Sequence, residues 1–296
     1  MKKILLILFV IILALSIYFF IPKKLSNIHS DKLTIGATIF PLYDITQNIV
    51  KDKADVIQIL PIGASPHTFE LTPEKVKELS DAKIIFKIGV LDDWIDPVSD
   101  SLPLVQKIAV NKNIVLLNSE EEGEQYDPHY WLSIKNAKII SQNIYDELIK
   151  IDPQNANIYK TNLDQYFIEL DKAELIIKNQ LANLKSNKLI TFHDSWQYFA
   201  NEYGLKVVGV FEPSPGQEPA PQYLKQITLT AEKYQIKTIF SEPQFSTGLI
   251  EQIAKDTNLK IYQLDAEGGG NAGKETYIKL MEYNSETIFT ALNENN

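Results

Sequence analysis

Residues 155–185, NANIYKTNLDQYFIELDKAELIIKNQLANLK, run without a single Gly or Pro. Tyr159, Leu163, Tyr166, Phe167, Leu170, Leu175 and Leu181 recur close to helical spacing, which predicts one amphipathic helix. At 1.5 Å per residue it would be about 45 Å long, enough to brace two lobes at once. The chain on either side keeps one rhythm. Before it come β-branched runs at Leu33–Ile39, Val56–Leu60, Ile84–Ile88 and Ile114–Leu117. After it come Leu189–Phe192, Val207–Phe211, Thr238–Phe240 and Ile261–Leu264. Short apolar strands separated by helical patterns are buried on both faces, and so predict parallel sheets covered by helices. The expected fold class is therefore α/β: two lobes, each with a four-stranded parallel sheet flanked by helices, joined by one long helix. The expected boundaries are 1–31 for an N-terminal leader and linker, 32–153 for the first lobe, 154–186 for the connecting helix and 187–296 for the second lobe.

The leader is distinct in composition. Lys2 and Lys3 precede an almost unbroken apolar run from Ile4 to Ile21, then Pro22, Lys23 and Lys24. Eighteen helical residues span about 27 Å, close to the hydrocarbon thickness of a bilayer. A cleaved signal peptide would use Ala14-Leu15-Ser16, but would leave Ile17-Tyr18-Phe19-Phe20 opening the mature chain. A retained signal anchor over residues 4–21 is the preferred reading. In both cases the leading lysines keep the start cytoplasmic and place the rest outside the membrane, in the periplasm or at the cell surface.

Composition narrows the chemistry. The 296 residues contain no cysteine, which excludes disulfides, thiolate metal sites, iron–sulfur clusters, a catalytic thiol and a lipid-modified cysteine. All 29 basic residues are lysine, and the net charge is −9. An acidic chain without arginine forks has no electrostatic footprint for nucleic acid. Only four histidines are present. Three of them fall in loops beyond the carboxyl ends of predicted strands, where parallel α/β sheets bind ligands. His67 follows the second strand, His129 the fourth, and His193 ends the fifth. Asp265 ends the eighth. Two candidates from each lobe meet in the cleft between them. Three imidazoles and one carboxylate suit tetrahedral Zn²⁺ or, with an expanded shell, Mn²⁺. His29 lies in the linker and is set aside.

The segments Gly-Ala-Ser-Pro-His67-Thr-Phe-Glu, Asp-Pro-His129-Tyr-Trp-Leu, Phe-His193-Asp-Ser-Trp-Gln-Tyr-Phe, Ser-Glu242-Pro-Gln-Phe and Leu-Asp265 occur in that order. Together they resemble the solute-binding proteins of zinc and manganese ABC importers over Leu33 to Asn293. The resemblance implies one metal ion in the interlobe cleft, delivered to a membrane permease and its ATPase. It implies His67, His129 and His193 as ligands, with Asp265 as the fourth. Members of the zinc branch resemble this chain in carrying histidine at the third position, where manganese-type members commonly have glutamate. Zn²⁺ is thus the expected cargo, with Mn²⁺ or mixed-metal uptake, or a surface adhesin containing the metal, as alternatives. A monomer is expected. Glu242 is assigned to loop structure or to support of a ligand. The chain departs from the family in two respects: an acidic stretch, Ser119 to Glu124, stands where many zinc-type members have a histidine-rich loop, and no cysteine is available for acylation.

Other signals recede. Gly268 to Lys274 fits the start of a phosphate-binding loop, but Glu275 replaces the required hydroxyl, and the expected structure is a turn at the cleft rim. The proline-dense segment from Phe211 to Pro221 reads as an ordered loop bordering the cleft. Tyr130, Trp131 and Trp196 flank the histidines and are expected to pack the cleft walls. There is no His-Glu-x-x-His helix and no Gly-x-Ser-x-Gly turn, so no enzyme activity is expected. Imidazole must be neutral to coordinate, which predicts that affinity falls as pH drops through about 6.

Overall fold

The structure is a computed structural model, and it describes residues 32–97, 101–119, 125–212, 221–245, 247–270 and 273–294. The expected anchor at 4–21, the acidic stretch at 120–124 and most of the proline-dense loop lie outside the described residues. Among the described residues, no helix is long and apolar enough to cross a membrane.

Two four-stranded parallel sheets form the frame. The first contains β1 (Leu33–Ala37), β2 (Ala54–Gln58), β3 (Ala82–Lys87) and β4 (Gln106–Ala109), in the order β2-β1-β3-β4. The second contains β5 (Lys188–His193), β6 (Lys206–Glu212), β7 (Thr238–Ser241) and β8 (Lys260–Gln263), in the order β6-β5-β7-β8. The two orders are equivalent. In each sheet the first strand in sequence has neighbours on both sides, and the loops on either side of it leave in opposite directions. That divergence opens a crevice at the carboxyl edge.

The helices are α1 (Phe40–Val50), α2 (Pro73–Glu78), α3 (Ile134–Ile151), α4 (Ala156–Leu181), α5 (Gln197–Tyr203), α6 (Pro221–Tyr234), α7 (Thr247–Thr257) and α8 (Tyr277–Glu294). Helix α4 is the expected strut. Its buried stripe is Tyr159, Leu163, Tyr166, Leu170, Ala173, Ile177 and Leu181, steps of three and four that keep one face inward. It packs on α1, α3 and α8. One hydrophobic cluster runs without interruption from Ile35 and Leu42 of the first half, through Tyr166 and Leu170 of the strut, to Phe199, Met281 and Ile288 of the second.

Three expectations are corrected. The fourth strand is Gln106–Ala109, and Ile114–Leu117 is loop. The apolar run loses because Asn113 takes a left-handed backbone (φ 66°) and Val115 points to solvent. The polar–apolar pattern Gln106-Lys107-Ile108-Ala109 suits an edge strand with one wet side. Leu175 is exposed, because the stripe passes through Ala173 and Ile177 instead. The strut ends at Leu181 and begins after a short 3₁₀ turn, Pro153–Asn155.

Candidate metal centre

Three loops deliver the histidines, each tied down by its own bonds. The His67 loop follows β2, and Trp94 Nε1 pins it by donating to Pro66 O at 3.0 Å. His67 N also donates to Ser65 Oγ at 3.3 Å. The His129 loop is fixed at Asp127, whose carbonyl accepts from Tyr198 Oη at 3.1 Å, and at Tyr130, whose hydroxyl donates to Ile88 O at 2.7 Å. His193 is the last residue of β5 and needs only the strand to aim it.

The three Nε2 atoms converge. His67 and His129 lie 3.3 Å apart, and His193 lies 3.2 Å from each of them. Points so spaced form one face of a tetrahedron whose centre lies about 2.0 Å from each nitrogen, the length of a Zn–N bond. Among the described residues this is the group of His, Asp or Glu side chains close enough together to hold a metal ion. Three imidazoles cannot hydrogen-bond mutually around one point, because each Nε2 is either donor or acceptor. Asp127 fixes the state of one: its Oδ1 accepts the Nδ1–H of His129 at 2.9 Å, leaving a lone pair on Nε2. Burial, reinforced by the charge His129 would carry, pushes His67 down to about 3. Burial also holds His193 well below the ordinary imidazole range, with His129 and His67 adding to it. Both shifts favour the neutral form of these two rings, the form that can coordinate.

Two acidic side chains join the histidines in the wall. The cavity is about 150 Å³ and is bordered by the histidines together with Pro66, Glu242, Gln244, Phe245 and Glu267. Glu242 Oε1 accepts from Ser195 Oγ at 2.8 Å and Trp196 Nε1 at 3.0 Å, which locks the β5 loop to the β7 loop. Burial raises its carboxyl above the usual range against these two bonds. Asp265, expected as a fourth ligand, is buried on Lys274, with Nζ 2.6 Å from Oδ2. Its Oδ1 accepts the backbone N–H groups of Glu267 (3.0 Å) and Gly268 (2.8 Å). The three histidines are therefore brought together, and Asp265 stands outside their cluster. The same ion pair disposes of the phosphate-loop reading, since Lys274 is turned inward onto Asp265.

Glu267 and Asp127 were missed in the sequence. Glu267 is 5% exposed, and its Oε2 has no hydrogen-bond partner. Burial pushes it up to about 8; His129 opposes the shift, while Asp265 and Glu242 add to it. The turn carrying it is held by Trp131, whose Nε1 donates to Ala266 O at 2.8 Å. Gly268 and Gly269 complete the turn with φ of 75° and 90°, and a Cβ on Gly269 would lie 2.7 Å from Phe40 Cδ2. Neutral imidazoles beside acids of raised pKa make a cavity that awaits positive charge. A divalent cation would satisfy both groups of donors.

Comparison with known proteins points the same way. The family ZnuA, "Zinc-uptake complex component A periplasmic", matches residues 35–291. The manganese ABC transporter substrate-binding lipoprotein PsaA of Streptococcus anginosus is 29% identical, over 89% of this chain and 90% of that protein. The high-affinity zinc uptake system protein ZnuA of Bacillus subtilis (strain 168) is also 29% identical, over 91% of each. Among solved structures, a ZnuA crystal structure superimposes with a TM-score of 0.80 at 29% identity, over 88% of this chain and all of that one. The Mn²⁺ complex of FpvC from Pseudomonas aeruginosa gives 0.80 at 30% identity, over 90% of this chain and all of that one.

Proposed function

The chain belongs to the ZnuA family of metal-binding substrate-binding proteins of ABC importers, and from that premise we propose that its cargo is Zn²⁺. Proteins of this kind work outside the cytoplasmic membrane, hand their cargo to a permease with its ATPase, and are not enzymes. The ligands we assign are His67, His129 and His193, with one carboxylate of the 265–267 turn in the anionic position. Asp265 is the carboxylate implied by family resemblance. The lobes are taken as 32–153 and 187–296, with 154–186 as the brace, and residues 4–21 as the membrane attachment.

The observation that carries the zinc reading is the third nitrogen. His193 makes the face of the site all imidazole, at the spacing of a tetrahedral centre. Borderline-soft Zn²⁺ favours that donor set over hard Mn²⁺. Mn²⁺ uptake is the second reading, supported by Glu242 and Glu267 in the cavity wall and by relatives named for manganese. Metal analysis of the protein isolated from its own cells, paired with competition titration of Zn²⁺ against Mn²⁺, decides between them. Bound zinc is expected. Manganese as the dominant metal in zinc-replete cells would refute the assignment.

A further inference from the structure

Every strand of the second sheet opens on or directly after a lysine and ends within two residues of an acid. In spatial order the amino edge carries Lys206, Lys188, Lys237 and Lys260. Asp194, Glu212, Glu242 and Asp265 stand at the carboxyl edge, on the side of the histidines. With strands about 4.8 Å apart, the lysines form a row about 14 Å wide. Lys188 and Lys206 face each other in register, and like charges so placed repel. Lys188 and Lys233 also hold their amines over one ring, that of Tyr234, at 5.4 and 5.0 Å from its centre. Glu294 neutralises Lys260 at 2.6 Å. Glu232 and Asp256, at the ends of α6 and α7, are offset by Lys233 and Lys255 beside them. A chain of net charge −9 thus gathers positive charge at the end of the lobe remote from its cation site. An anionic surface laid across the row relieves its repulsion.

The exposed side of α6 shows which kind of anion fits. Lys225, Leu229 and Lys233 follow one another at four-residue spacing, along one stripe. Leu229 is 54% exposed and lies in a shallow groove between the two lysines. A leucine flanked by lysines suits a boundary with phosphate on one side and hydrocarbon on the other, where lysine stems lie along apolar matter and their amines stay with the phosphates. A water-soluble phosphate polymer offers the leucine nothing.

We propose that this corner of the second lobe, the lysine row with the Lys225–Leu229–Lys233 stripe, docks on an anionic phospholipid surface. β5 runs from Lys188 in the row to His193 in the site, so docking here turns the metal end of the sheet away from the bilayer. On the metal-binding reading above, that posture collects cations, and delivery to a permease requires the corner to let go.

The absence of cysteine allows one environment-sensitive fluorophore to be placed at Q226C, on the docking side of α6, or at D164C, on the strut. Full-length protein is reconstituted without metal into vesicles of phosphatidylcholine, or of phosphatidylcholine and phosphatidylglycerol in equal parts. The Q226C label is expected to brighten on the anionic vesicles only and to dim again at high salt, with the D164C label unchanged. Each lysine near such a surface is worth roughly fivefold in the ratio of docked to free, so K188Q, K206Q, K237Q and K260Q together should lower that ratio about a hundredfold or more. Equal emission on neutral and anionic vesicles, a signal indifferent to the four substitutions, or equal brightening of D164C overturns the proposal. So does a response to soluble poly(glycerol phosphate) with none to anionic vesicles. Flotation with the neutral vesicles reports membrane attachment through residues 4–21 separately, and the readout, needing no metal, is independent of the cargo assignment.

Discussion

Metal capture should release a proton whose source can be identified by its pH range. Burial pushes Glu267 up to about 8, so at pH 7 the metal-free protein holds about 0.9 proton on that carboxyl. The ionised form is the one a cation attracts, and Zn²⁺ binding should expel that proton. Release should be about 0.9 at pH 7 and about 0.5 at pH 8. Affinity should rise about fivefold between those two pH values and fall about tenfold from pH 7 to pH 6. His67, held down to about 3, and His193, held well below its ordinary value, add little to this signal. Even three ordinary imidazoles would together release only about 0.1 proton at pH 8. The direction of the pH effect is the one expected from the sequence, with the Glu267 carboxyl as an added source of protons. Calorimetry of Zn²⁺ binding at pH 8 in buffers of different ionisation enthalpy measures the number directly. Release below about 0.1 proton at pH 8, or the same release from E267Q as from wild type, would refute the reasoning.

Replacing His193 by Ala removes one of three nitrogens and should cost about tenfold or more in Zn²⁺ affinity by competition titration. D127A frees the His129 ring from its orienting acceptor and should also cost about tenfold, read by the same titration. G269A combines a left-handed backbone with a Cβ 2.7 Å from Phe40, and should destabilise the metal-free protein by about 2–4 kcal/mol in urea denaturation. K274M strands Asp265 in the interior and should cost about 3–5 kcal/mol by the same assay, with little change in helical content at low urea.

Much of this was legible because it is local or periodic. The strut declared itself through 31 residues without a helix breaker, and seven of the eight strands through apolar runs. The three histidines could be placed because strand ends and the loops after them are sequence features. β4 was hidden because an edge strand needs only one apolar side, which leaves a short and partly polar signal. The carboxylates were harder. Asp265 was placed by its strand end, and the fold adds that Lys274 is brought back onto it by the glycine turn, where Gly269 N donates to Lys274 O at 2.9 Å. Glu267 follows Asp265 by two residues and has no pattern of its own. Its distinction is a missing partner, which no one-dimensional signal carries. The weak exception was Asp127, which sits two residues before His129, a spacing that suits a local carboxylate–imidazole bond.

The chain has three tryptophans, and each indole N–H is spent on a different part of the same pocket. Trp94 holds the loop of His67, Trp131 holds the turn of Glu267, and Trp196 holds Glu242. Trp131 also lies with its ring centre 5.2 Å from that of His129. No indole elsewhere in the chain contributes background. The intrinsic fluorescence of this protein is therefore an optical readout of its cleft, and cargo arrival and release can be followed in real time without attaching a dye.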